Sequence, residues 1–185
     1  MAREAADVVI IGRNEGRAGV ADLLPTPRDG RPVNPPGPAS GRTGARVTVL
    51  EPDPTYARAS TPKATGVIRQ QYAIPENIRM SVFGSAFLKS APSLLGTEDG
   101  PADIAFREQG YVWLLEEDLL PTVRAMHAVQ LENGADVAFL DQPALARRLP
   151  LYATDSLAGG FWGRSGAGWF DPWALLQALR RKSQA

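Results

Sequence analysis

The sequence predicts an α/β fold whose second region is α+β, and three observations carry that expectation. Two short runs, Val8-Val9-Ile10-Ile11 and Val47-Thr48-Val49-Leu50, are rich in β-branched residues. They are continuous rather than alternating, as in strands of a parallel sheet buried on both faces. From Pro75 onward, apolar residues at helical spacing take turns with aromatic segments of strand length.

The first strand, Val8–Ile11, ends at Gly12, and the second, Val47–Leu50, ends at Glu51. A strand, a glycine turn, a helix and a second strand closed by an acid make a dinucleotide-binding βαβ unit. There the helix N-terminus holds a pyrophosphate and the acid takes the ribose hydroxyls. Glu51 stands in the acid's place. The glycine fingerprint is broken, however. Counting from Gly12, Asn14 stands at the third place and Arg17 at the sixth, where the pattern asks for glycine. Asn tolerates a left-handed backbone, so Asn14 is the milder departure. Pro25 and Pro27 stop the helix hinted at by Val20, Leu23 and Leu24. Residues 25–44, dense in Pro and Gly, read as a mobile loop. The plainer alternative is that both runs are buried strands of some other α/β domain.

Pro52-Asp53-Pro54 turns the chain, and Ala59-Ser60-Thr61-Pro62-Lys63-Ala64-Thr65-Gly66-Val67-Ile68-Arg69-Gln70-Gln71 follows. Small and hydroxylated residues suit backbone packed close to a ligand. Ser60 and Thr61 can donate to phosphate oxygens, and Arg69 adds charge. An ordinary Ser/Thr turn is the competing reading. Pro75 opens a helix whose Ile78, Val82 and Ala86 share a core-facing stripe. Gly96–Pro101 is a break, and Ile104–Leu115 reads as a strand. Asp118 caps a helix carrying Leu119, Val123, Met126 and Val129, stopped at Asn133-Gly134. Val137–Leu140 is a strand, Asp141 caps a short helix, and Leu157–Trp162 is another strand. Asp171 and Pro172 open a last helix, with Arg180, Arg181 and Lys182 at its C-terminal end.

Composition excludes several classes. Net charge is zero and no basic patch appears, which argues against nucleic acid as a partner. No run is long and apolar enough for a membrane helix. The absence of cysteine excludes disulfides and thiolate chemistry, and fits a reducing cytoplasm. His127, the only histidine, sits on a predicted helix and reads as a boundary residue. No metal-ligand cluster, P-loop or Ser/His/Asp arrangement is present.

Taken in order, these stretches resemble the flavin-dependent amine and amino-acid oxidoreductases, the group of D-amino-acid oxidase, sarcosine oxidase and dimethylglycine dehydrogenase. The resemblance continues through Pro75-Glu76-Asn77-Ile78-Arg79-Met80, Gly110-Tyr111-Val112-Trp113-Leu114 and Gly168-Trp169-Phe170-Asp171-Pro172. It leaves out the region from Arg13 to Arg46. It implies FAD, a partial Rossmann-like FAD-binding domain and part of a mixed-sheet substrate domain. It also implies a small-molecule amine or amino acid as substrate, oxidised at its C–N bond by hydride transfer to the flavin. On this resemblance Glu51 holds the adenosine ribose, and Gly12 and Asn14 face the pyrophosphate. Ser60, Thr61, Thr65 and Gly66 lie along the phosphates and flavin, with Arg69 beside them. No protein acid or base is assigned.

The implied organisation is residues 1–95 for the FAD domain, 96–168 for the substrate domain, and 169–185 for a helix returning toward the first. The family's fold then crosses back to complete the FAD domain. The chain therefore reads as a truncated N-terminal portion, with a complementing chain as one way to complete it. The expectation is weak FAD binding, or none, and no turnover by this chain alone. The competing readings are a non-catalytic fragment that binds no flavin or docks on another chain, and an NAD-dependent dehydrogenase.

Overall fold

The computed structural model describes Val8–Ile11, Val47–Leu50, Asp53 and residues 55–184. These fall into two compact units. One takes the described residues up to Thr65, with Ala91–Asp103 and the chain from Pro172 on; the other takes Gly66–Ser90 and Ile104–Asp171.

In the first unit, β1 (Val8–Ile11) and β2 (Val47–Leu50) pair in parallel. The register sets Val8 opposite Val47 and Ile11 opposite Leu50. A parallel pair is what the expected βαβ unit requires of its two strands. Residues 12–46, including the Pro/Gly-rich stretch, lie outside the described residues. Thr61–Lys63 forms a single 3-10 turn with Pro62 in its first positions. The helix Pro172–Gln184 packs on that turn. Its Lys182 Nζ donates to Gly96 O at 3.0 Å, and its Arg180 guanidinium lies 5.9 Å from the Tyr56 ring centre. Around Gly96 the chain reverses: Thr97 and Gly100 exchange both backbone bonds, and Ala102 N donates to Pro92 O.

The second unit is α+β. Here β3 (Val67–Ile68) pairs antiparallel with β7 (Gly168–Trp169). A three-stranded antiparallel sheet has β6 (Gly159–Gly163) between β4 (Tyr111–Leu115) and β5 (Val137–Asp141). Trp113, Phe161 and Phe139 lie in one cross-strand row, so they share a face. That face meets α1 (Pro75–Leu94) and α2 (Leu120–Glu132). Ile78, Leu115, Val123, Ala135, Val137 and Phe161 form the buried core there. The opposite face takes α3 (Gln142–Arg148), whose Leu145 is wholly buried; its Cδ1 would touch a side chain placed at Gly160. The last helix, Pro172–Gln184, is α4.

Three expected elements are placed differently. Of Ile104–Leu115, only Tyr111–Leu115 joins the sheet. Ala105 at φ 52° and Gly110 at φ 82° turn the backbone out of extended geometry. Between them Arg107 bridges Trp169 instead. The helix expected to start at Asp118 begins at Leu120, after a 3-10 turn over Glu117–Leu119. Pro121 belongs in a first helical turn, and its place fixes that start. The strand expected at Leu157–Trp162 runs Gly159–Gly163. Among the described residues no helix is long and apolar enough to cross a membrane.

Candidate functional site

Gly12, Asn14 and Glu51 lie outside the described residues. Ser60, Thr61 and Thr65 belong to the first unit and are exposed. Ser60 is the N-cap of the 3-10 turn, yet its hydroxyl makes no cap bond. Pro62 accounts for the turn's tightness, and the turn sets Ser60 and Thr61 side by side. Exposed hydroxyls on a short fixed turn are the donor chemistry that a phosphate-bearing cofactor needs, so this part of the set fits FAD. Gly66 and Arg69 belong to the second unit. Gly66 is buried at φ 74°, and its carbonyl accepts from Phe170 N at 3.0 Å.

Arg69 is the most developed feature. Its guanidinium lies 4.3 Å from the centre of the Tyr72 ring, 5.0 Å from Trp113 and 5.7 Å from Tyr111. One Nη1–H donates to Gln71 O. Each ring lends its negative face to the cation, about 0.5–1 kcal/mol where exposed and more where desolvated. Among the described residues no acid pairs with Arg69. A planar fork fixed by rings and by one carbonyl keeps its other donors for an anion, and carboxylate geometry matches it. The sequence placed Arg69 but not its frame. The signal was there: Tyr72 follows at i+3, and Tyr111 and Trp113 alternate onto one face of β4.

The segment carrying Arg69 is pinned by two buried amides that the sequence reading passed over. Gln70 Nε2 donates to Ser85 Oγ at 3.4 Å, and its Oε1 accepts from Asp136 N at 3.0 Å. Gln71 Nε2 donates to Tyr111 O at 3.0 Å and to Phe161 O at 3.3 Å. Below them the 163–168 loop is held by two acids. Glu108 accepts from Gly166 N and pairs with Lys89 at 2.7 Å. The Gly166 N–H, then Lys89, hold the Glu108 carboxyl below its usual range. Asp136 accepts from Ser165 Oγ at 2.7 Å and from Arg164 Nε at 2.8 Å. The Ser165 hydroxyl first, and Arg164 after it, lower the Asp136 pKa.

His127 is half-buried. Its Nε2 lies 2.9 Å from Val137 O, so that nitrogen carries the proton, and its ring meets Phe161 edge-on. It is a packing residue. No group of acids and histidines among the described residues could hold a metal ion.

The profile of the FAD dependent oxidoreductase family, DAO, matches residues 39–185. The FAD-dependent oxidoreductase domain-containing protein 1 of Xenopus laevis is 38% identical over 182 residues, 97% of this chain and 34% of that protein. Its Bos taurus counterpart is 39% identical over 141 residues, 76% of this chain and 29% of that protein. The chain thus spans about a third of the length of the curated relatives it matches. Among solved structures, L-proline dehydrogenase from P. horikoshii superposes with a TM-score of 0.71 at 21% identity, covering 98% of this chain and 42% of that one. Glycine oxidase from Geobacillus kaustophilus gives 0.69 at 20% identity, covering 97% and 44%. These likenesses bear out the expected α/β fold, matched over less than half of each neighbour's length. The parallel pair, the antiparallel sheet and the match over most of the chain lead to one assignment: the chain belongs to the DAO family of FAD dependent oxidoreductases.

Proposed function

We propose that this chain supplies cofactor and substrate contacts for an FAD-dependent oxidation of the C–N bond in a carboxylate-bearing amine. The observation that carries the reading is Arg69, framed by Tyr72, Trp113 and Tyr111. An amino-acid carboxylate is the anion that such a fork takes, while the rings pack the carbon chain beside it. On the cofactor side, Glu51 takes the ribose hydroxyls, and Gly12 and the amides near Asn14 face the pyrophosphate. Ser60, Thr61 and Thr65 give hydroxyls, and buried Gly66 allows close backbone approach. When bound, FAD supplies the two-electron acceptor. The chain's own part is binding and orientation, and we assign no side chain to proton transfer. L-Proline dehydrogenase and the glycine oxidases among its structural neighbours point the same way for substrate class.

The test is visible absorption of the purified chain with excess FAD, before and after adding an amino acid or a matched amine without a carboxylate. With FAD in large excess over the weak affinity expected of the chain, the flavin bands should shift on binding, and shift again with the amino acid alone. Arg69→Met should keep the first shift and lose the second. A second shift of equal size in Arg69→Met, or with the plain amine, would sink the carboxylate assignment.

A further inference from the structure

We propose that Gln71, seated on the side-chain-free surface of Gly163, is a positioning residue that holds Arg69 in its aromatic frame. Gln71 is 2% exposed. Its Nε2 spans the carbonyls of Tyr111 and Phe161, on the two adjacent strands β4 and β6. A flipped amide would set its oxygen against both carbonyl oxygens, so this orientation is fixed. The fixed orientation leaves Oε1 buried without a hydrogen-bond partner. A buried acceptor left unmatched is a penalty that an apolar residue would avoid. The arrangement therefore serves something other than stability alone.

What it serves is the residue's own backbone carbonyl. Gln71 O is the carbonyl that receives the Arg69 Nη1–H. The carboxamide thus clamps the peptide that orients the fork, and Tyr111, whose carbonyl it holds, is also one of the rings. The space for the clamp comes from Gly163. A Cβ there would come within 3.1 Å of Ala167 Cβ, 3.2 Å of Gln71 Nε2 and 3.4 Å of Gln71 Oε1. The neighbouring amide repeats the device, since a Cβ at Gly166 would overlap the Gln70 carboxamide nitrogen. The loop sequence Gly163-Arg164-Ser165-Gly166 is a bed for two consecutive glutamines.

The proposal rests on Arg69 as a carboxylate receptor, and the experiment separates the two ideas. The side-chain Nε–H resonance of Arg69 is followed by NMR during titration with acetate. In the native chain it should lie outside the envelope of solvated arginines, because of ring currents, and move saturably with acetate. In Gln71→Leu it should return toward that envelope. Acetate affinity should fall about tenfold, at the mild end of what ångström-scale misplacement costs. Amide resonances of β5, on the far side of the sheet, should stay in place and report an intact fold. Gly163→Ala should act in the same direction but less, by crowding the carboxamide without touching Arg69. If Gln71→Leu does not fold, Gly163→Ala decides alone. A native Arg69 resonance and acetate response in a folded variant would overturn the proposal. A native chain blind to acetate, whose Arg69 resonance still collapses in the variants, would remove the receptor reading and keep the positioning role.

Discussion

Gly166 shows how much one residue controls. Its φ of +66° lies in the left-handed region, its N–H goes to Glu108 and its carbonyl takes the Ser85 hydroxyl. A methyl group there would also overlap Gln70. Gly166→Ala should lower unfolding free energy by about 2–5 kcal/mol, from left-handed strain of about 1–2 and overpacking of about 1–3. Urea denaturation checks it, and a loss near zero would mean that the loop relaxes freely. Glu108 gives the pH counterpart. Its folded carboxyl is held below the ordinary value near 4.5, so its contribution is full above that pH. It is lost as pH falls through the lower folded value. The side chain is 34% exposed, so screening limits the contribution to about 0.5–1 kcal/mol. Glu108→Gln should remove that part at neutral pH and flatten the acid limb of the stability profile. Parallel acid limbs in the two proteins would contradict it.

Among elements, α3 depends on its cap. Asp141 Oδ1 accepts from Ala144 N at 2.8 Å, and Pro143 sits in the first turn. Asp141→Ala should cost about 1 kcal/mol, measured by thermal or urea unfolding. Leu145→Ala, which empties a wholly buried site, should cost about 2–5 kcal/mol. Equal losses in the two variants would mean that α3 is held by its cap rather than by its packing. Elements of this kind were legible in the sequence, because Asp141, Asn133-Gly134 and Pro75 act within one turn of where they stand. The stripe Ile78, Val82, Ala86 also named the right helix face, with Ile78 buried completely. Ile104–Gly110 was not legible as non-strand. Its apolar residues look extended, and only the positive φ of Ala105 and the bridge to Trp169 divert it. Those are long-range consequences of pairing. The same holds for Gln70 and Gln71: nothing in their polar side chains signals that the Asp136 N–H, 66 residues on, would engage Gln70, or that carbonyls 40 and 90 residues away would engage Gln71.

At the scale of the whole molecule, the family was legible from the order of short motifs, while the site was legible only in part. Arg69, Ser60 and Thr61 could be named from residue chemistry. The ring frame around Arg69 could not, because it needs β4 folded against the 69–72 segment. The parallel pair of Val8–Ile11 with Val47–Leu50 sets the topology that a dinucleotide site requires. Against it stand Asn14 and Arg17, at places where the fingerprint asks for glycine. On the function proposed above, this pair, followed in sequence by Glu51, supplies the adenosine end of an FAD site. The most direct measurement is the FAD dissociation constant of three proteins. They are the native chain, a variant with residues 13–46 replaced by a compact glycine turn and helix, and Glu51→Ala in that variant. The native chain should bind FAD weakly, and the replacement should tighten binding. Removing Glu51 should then cost about 1.5–3 kcal/mol, the range for hydrogen bonds to a charged group. An affinity that the replacement does not raise, or that Glu51→Ala leaves unchanged, would contradict the proposed site.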